Sequence, residues 1–191
     1  MQVDNHIAFK EWAVVCSALA SGRQSLILRK GGLHEGRDGF RVAHSEFWLF
    51  PTGFHQESDS VTQDAQRLLQ EVLTRRPVAD EIHIQNYVEV EDVIELHDES
   101  RLSRLSQFHI LSNKTVDARY HYKQPGLFVV LVRVHQLPIQ ISIPASPHFA
   151  GCRSWVDFPT PFPTDGLHPV LSDKVHSERM SELRKILRAN Q

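Results

Sequence analysis

The chain has 191 residues, 41% hydrophobic and 23% charged, with 21 lysines and arginines against 23 aspartates and glutamates and a formal net charge of -2. A chain of this length buries roughly 70% of its unfolded surface in one domain, so it needs neither disulfide nor metal to fold. The near-neutral balance provides no global field toward nucleic acid or an anionic membrane, so a nucleic-acid partner is not expected, and no apolar run reaches the ~18 residues of a spanning helix.

Cys16 and Cys152 lie in the apolar contexts AVVCSAL and AGCRSWV, outside any C-x-x-C pair, and read as buried reduced thiols. The beginning of the chain carries no basic region followed by an apolar stretch, which points to a cytoplasmic protein with no membrane partner. One domain is expected over residues 1–191, with a core at 8–160 and a Pro-rich connector and helix at 161–191.

In chain order, WAVVCSAL (12–19) and SLILRK (25–30) flank a Ser-Gly turn and predict a β-hairpin. Residues 33–45 are Gly-rich and charged and predict a loop. EFWLFP (46–51) predicts a buried strand stopped by Pro51. Val61, Ala65, Leu68, Leu69, Val72 and Leu73 share one face of a 3.6-residue period, with Ser60 and Gln63 as a capping box and Pro77 as the stop. Residues 81–96 predict one or two strands with a break near Glu91-Asp92, and residues 98–111 a helix capped by Asp98 or Ser100. DARYHYK (117–123) alternates like a strand. LFVVLVRVHQL (127–137) predicts the central strand, covered on both faces. Prolines at 138, 144 and 147 predict irregular loop, CRSWVDF (152–158) a further strand, and residues 172–189 a final helix. Interleaved strands and helices make the class α/β or α+β with a mixed sheet.

Candidate site residues cluster around residues 29–72. Arg29, Lys30, Arg37 and Arg41 surround a Gly-rich loop and could form a cationic rim for an anionic ligand, or simply be solvated. Trp48 and Phe54 are the aromatics suited to stacking on a flat ligand, core packing being the ordinary alternative. His55 with Glu57 is the best local acid–base pair, because imidazole titrates near neutrality. No H-E-x-x-H, G-x-S-x-G or (D/E)-x-K pattern points to a zinc hydrolase, a serine hydrolase or a restriction-type nuclease.

The phrases FKEWAVVC, SLILRKGG, FWLFPTGFHQ, RVHQLP and GCRSWVDF are similar to those of an uncharacterised bacterial family, domain of unknown function 1802. In element order the chain also resembles a Nudix hydrolase, which implies a Nudix-like mixed sheet between helices. Laid on the Nudix box, Gly53 matches its first Gly, Asp59 stands at the first Glu, and Arg67, Leu69 and Glu71 match, while Leu68 and Val72 replace two metal-binding Glu. A magnesium ion held by hard oxygen ligands would be what the resemblance implies, with Asp59 and Glu71 remaining as ligands.

The resulting expectation is a Nudix-like domain that binds a small phosphate-bearing or nucleotide ligand through Arg29, Lys30, Arg37, Arg41, Trp48, Gly53 and Phe54, with an incomplete metal site. One alternative is a phosphoanhydride or phosphodiester hydrolase with a rebuilt site using Glu71, Asp59 and His55. The other is a protein–protein adaptor acting through the proline-rich 138–169 region.

Overall fold

Period-2 alternation separates two cores across the sheet. In strand β3 (Glu46–Thr52), Phe47 and Leu49 enter a main core while Trp48 and Phe50 enter a second. Strand β1 (Asp4–Trp12) divides likewise, with Phe9 in the main core and Ala8 in the second. The structure, a computed structural model, describes residues 1–31, 43–53, 57–75, 81–151 and 153–188.

Among the described residues seven strands form a mixed, mostly antiparallel sheet. The remaining strands are β2 (Leu26–Arg29), β4 (Glu81–Leu96), β5 (Leu127–Pro144), β6 (Trp155–Pro163) and β7 (His168–Pro169). Their order is β2-β5-β4-β3-β1-β6, and β7 adds to β5. Only β1 and β3 pair in parallel among these, with Ala8 opposite Trp48 and Trp12 opposite Thr52. Both strands therefore end on one side of the sheet, where the candidate site lies.

Parallel pairing requires a crossover, and the helix α1 (Ala13–Ala20) lies within it. Here the predicted hairpin is corrected. Residues 13–20 are apolar because the helix is buried nearly all round, with Val14, Val15, Cys16, Ala18 and Leu19 inside. A short apolar run reads equally as buried strand or buried helix. The Nudix-like element order rested on that hairpin and is not what the chain builds. Gly22 closes the turn after α1 at a φ of 67°, a left-handed conformation that favours glycine.

The long amphipathic element is divided. Residues Ser58–Ser60 and Gln63–Ala65 form 3-10 turns, and α2 spans only Gln66–Thr74. Val61 leaves the helical path to bridge Leu111, and Ser60 closes a capping box with Glu57 rather than with Gln63. Val61, Ala65 and Leu69 are buried as the period requires, whereas Leu68 is only half-buried.

The predicted break in 81–96 is a bulge. Register shifts between Val90 and Asp92 set Glu91 and Asp92 against helix α5 (Asp173–Arg188). Glu91 meets His176 and Arg184, and Asp92 meets Arg184 and Arg188. Burial opposes ionisation of Glu91, but the His176 and Arg184 contacts hold its pKa below the usual carboxylate value. Met180, Leu183, Ile186 and Leu187 of α5 enter the main core as expected, but Val175 is exposed.

Helix α3 (Glu99–Arg104) is capped by Asp98, which accepts from the Ser100 amide. Residues 117–121 are not strand but the end of α4 (Asn113–His121). Ser112 caps this helix by accepting from the Thr115 amide, and Val116 and Tyr120 are buried four residues apart. The apparent alternation of 117–123 was coincidental.

Strand β5 is the covered strand predicted, with Val129, Val130, Leu131 and Val132 all buried. It continues through the prolines to Pro144, with a register irregularity opposite Gln85. β6 includes Pro159, Pro161 and Pro163, tolerated because it forms an end of the sheet order. Residues 138–144 and 159–163 are therefore strand, where loop and connector were expected. Cys16 is buried, and burial pushes its thiol pKa well up; Cys152 lies outside the described residues. Among the described residues no helix is long and apolar enough to cross a membrane.

Candidate functional site

The site begins with Glu11, a charged residue at the end of β1 that is only 2% exposed. A buried carboxylate demands partners. Its Oε1 accepts from the Trp12 amide at 2.8 Å, and its Oε2 faces Arg29 Nη1 at 3.3 Å. Arg29 also donates to Ser154 Oγ at 2.7 Å, and its guanidinium stands 4.8 Å from the centre of the Phe9 ring. The Thr52 hydroxyl donates to the Glu11 carbonyl and ties the ends of β1 and β3 together.

Beside this pair, Arg119 of α4 lies over the Trp12 ring with 4.5 Å between guanidinium carbon and ring centre. Its Nη1 donates to the Leu28 carbonyl at 2.8 Å. Burial lowers the Arg119 pKa, Glu11 raises it and Arg29 lowers it, so the three charges sense one another. Nearby His109 is buried; burial, opposed by a backbone hydrogen bond at Leu111 and reinforced by Arg119, lowers its pKa to about 4. It is therefore a neutral imidazole at neutral pH.

Trp12, Lys30 and Arg119 line an open cleft of about 420 Å³. Glu57, Asp59, Ser60, Lys114, Thr115 and Tyr122 line it as well. Tyr122 is 59% exposed. The α4 side is pinned to the 58–60 turn: Lys114 pairs with Asp59, Ser112 donates to the Asp59 carbonyl, and Thr115 donates to the Ser60 carbonyl at 3.0 Å. The Lys114 hydrogen bond and charge hold the Asp59 pKa below its usual value.

The anticipated residues do not assemble as expected. Arg29 is spent on Glu11 and Ser154. Lys30 donates to the carbonyls of Tyr120, Gln124 and Gly126, acting as a cation at the C-terminal end of α4. Trp48 is fully buried, its indole N–H donating to the Asn5 carbonyl and its ring packed edge-on to Tyr87, so it is a core residue and not a stacking platform. Gly53 is exposed just beyond β3. Glu71 pairs with Arg67 one helical turn away, and it does not line the cleft that holds Asp59. Arg37, Arg41, Phe54 and His55 lie outside the described residues.

These acids do not suit a magnesium ion. Asp59 is committed to Lys114 and Glu71 to Arg67. Among the described residues the one converging trio of ligand types is Glu99, Asp117 and His121, all exposed, and it includes neither. Sequence reasoning missed Glu11, Trp12, Lys114, Thr115, Arg119 and Tyr122. Glu11 carried a usable signal: a lone acid inside the apolar run IAFKEWAVV must be either paired or exposed. Arg119 and Tyr122 carried none, because their segment read as a strand.

Among the solved structures similar to the chain are three of ASCH from Zymomonas mobilis. A serine-to-alanine variant and a tyrosine-to-phenylalanine variant each give a TM-score of 0.45 at 13% identity, covering 96% and 93% of this chain and 99% and 96% of theirs. The parent protein gives 0.43 at 14% identity, over 93% of this chain and 94% of its own. No curated protein matches. The helix α1 in place of the hairpin, the engaged Arg29 and Lys30 and the dispersed acids correct the expected Nudix-like phosphate- or nucleotide-binding function and its hydrolase variant. The model of the family described as a domain of unknown function, DUF1802, matches residues 8–182, and the chain belongs to that family.

Proposed function

We propose that the cleft beside the ends of β1 and β3 binds a small organic molecule through a flat ring. The observation that carries this reading is the pairing of two aromatic side chains, half-buried Trp12 and exposed Tyr122, in a single cleft of about 420 Å³. That volume lies in the range of small-molecule sites, roughly 300–1,000 Å³, where apolar walls carry a few directing polar groups. Thr115 and the Glu57 carboxylate provide such groups here. Trp12 is well placed for this role, since Arg119 already lies over one side of its ring and fixes its orientation. Lys30 and Lys114 contribute chiefly their aliphatic stems, because their ammonium groups are held by protein acceptors.

Titration with benzamide and indole, followed by ¹H–¹⁵N NMR of the three tryptophan indole groups, tests the reading. The Trp12 resonance is expected to shift while the buried Trp48 resonance stays fixed, and Trp12→Ala or Tyr122→Ala is expected to weaken binding. If neither ring compound moves the Trp12 signal at millimolar concentration, the cleft is not a ring-binding site.

A further inference from the structure

Among the described residues around the cleft, two cations, Lys30 and Arg119, have no carboxylate paired to them. Four cationic side chains, Arg29, Lys30, Lys114 and Arg119, face three carboxylates, Glu11, Glu57 and Asp59. Arg29 is matched by Glu11 and Lys114 by Asp59. Lys30 is held by three carbonyls at the end of α4. Glu57 accepts from the Ser60 amide in its capping box and feels Lys114. Lys123 stands over the Tyr122 ring, 5.4 Å from its centre, and does not line the cleft. Arg119 remains: among the described residues it has one hydrogen bond, to the Leu28 carbonyl, and no carboxylate in an ion pair.

We propose that Arg119 is the anchor for a carboxylate on the ring-bearing ligand, an inference that rests on the reading of the cleft as a ring-binding site. A guanidinium offers five donors in a planar fork, and Nη1 alone is engaged, which leaves donors for two carboxylate oxygens. The fork lies over Trp12, so an acid bound to it presents its attached ring to the indole and Tyr122 walls. One negative charge balances the excess of four cations over three carboxylates. A dianion would add a second negative charge to a cleft that Glu57 and Asp59 also line, and like charges there disfavour it. The ligand class is therefore a planar monocarboxylate rather than a phosphate ester.

The test compares three probes on the wild-type chain by calorimetry and by the Trp12 indole signal: benzoate, its uncharged isostere benzamide, and phenyl phosphate. Benzoate is expected to bind about tenfold more tightly than benzamide, the scale of one charge-assisted hydrogen-bonded contact. Phenyl phosphate is expected to bind no more tightly than benzoate. Arg119→Gln should remove the benzoate preference, so that benzoate and benzamide bind alike, and Arg119→Lys should restore only part of the preference. Benzamide binding with no gain for benzoate overturns the carboxylate assignment alone, as does tighter binding of phenyl phosphate or a preference that persists in Arg119→Gln. Failure of both benzamide and benzoate overturns the ring-binding reading as well. If Arg119→Gln does not fold, the wild-type probe comparison and Arg119→Lys still decide the assignment.

Discussion

Replacing Glu11 with glutamine tests the buried ion pair on which the strand-end geometry depends. The substitution preserves shape and leaves an acceptor for the Trp12 amide, but it removes the charge opposite Arg29 and close to Arg119. The Glu11 side chain is 1% exposed and that of Arg29 19%, so water does little to compensate. Breaking a buried pair by removing one partner costs about 3–5 kcal/mol, because the remaining charge stays desolvated. For a chain of this size each kcal/mol moves Tm by about 2–4 °C, so Glu11→Gln is expected to lower Tm by roughly 6–20 °C. Arg29→Met should be comparably harmful, since it strands the carboxylate. The double variant should recover most of the loss, because neither charge then remains. Thermal unfolding and urea titration of all four proteins form the cycle. A Tm for Glu11→Gln within measurement error of the parent, or losses that simply add in the double variant, would refute the reasoning.

Three further outcomes follow from individual residues. His109, whose pKa falls from 6.5 to about 4 on folding, takes up a proton more readily in the unfolded chain, so stability is intact above pH 6.5 and declines as pH falls toward 4. The contribution lost is about 3 kcal/mol, and His109→Gln should flatten that part of a stability-versus-pH profile; an unchanged profile would count against it. Gly22→Ala should destabilise by about 1–3 kcal/mol in urea unfolding, because φ is 67° and a Cβ would stand 2.6 Å from Leu171 Cδ2. Trp48→Phe should lower stability through lost packing and the lost bond to the Asn5 carbonyl, yet leave benzamide affinity unchanged, since Trp48 is sealed in the second core.

Much of the fold was legible where periodicity was long. The alternation of Phe47, Trp48, Leu49 and Phe50, the unbroken apolar run of β5 and the apolar face of α5 each constrain many residues at once. Short segments were not legible. WAVVCSAL is apolar enough to be buried as either element, and DARYHYK alternates by chance, so α1 and the end of α4 were read as strands. The error carried into the site, because Trp12 precedes α1 while Arg119 and Tyr122 lie at the end of α4.

The sequence by itself determined that the chain makes a mixed sheet with a covered strand at 127–137, a strand ending near Pro51 and a terminal amphipathic helix. It also placed Lys30 and Asp59 close to what became the cleft. Tertiary structure alone decided the parallel pairing of β1 with β3, which brings Glu11 to Arg29 and Thr52. It also decided that Lys30 is consumed by backbone carbonyls while Arg119 is left facing the cleft. The physical reason is that local pattern records which side chains must leave water. The partner each charge finds depends on which distant segments the sheet order brings within hydrogen-bonding reach.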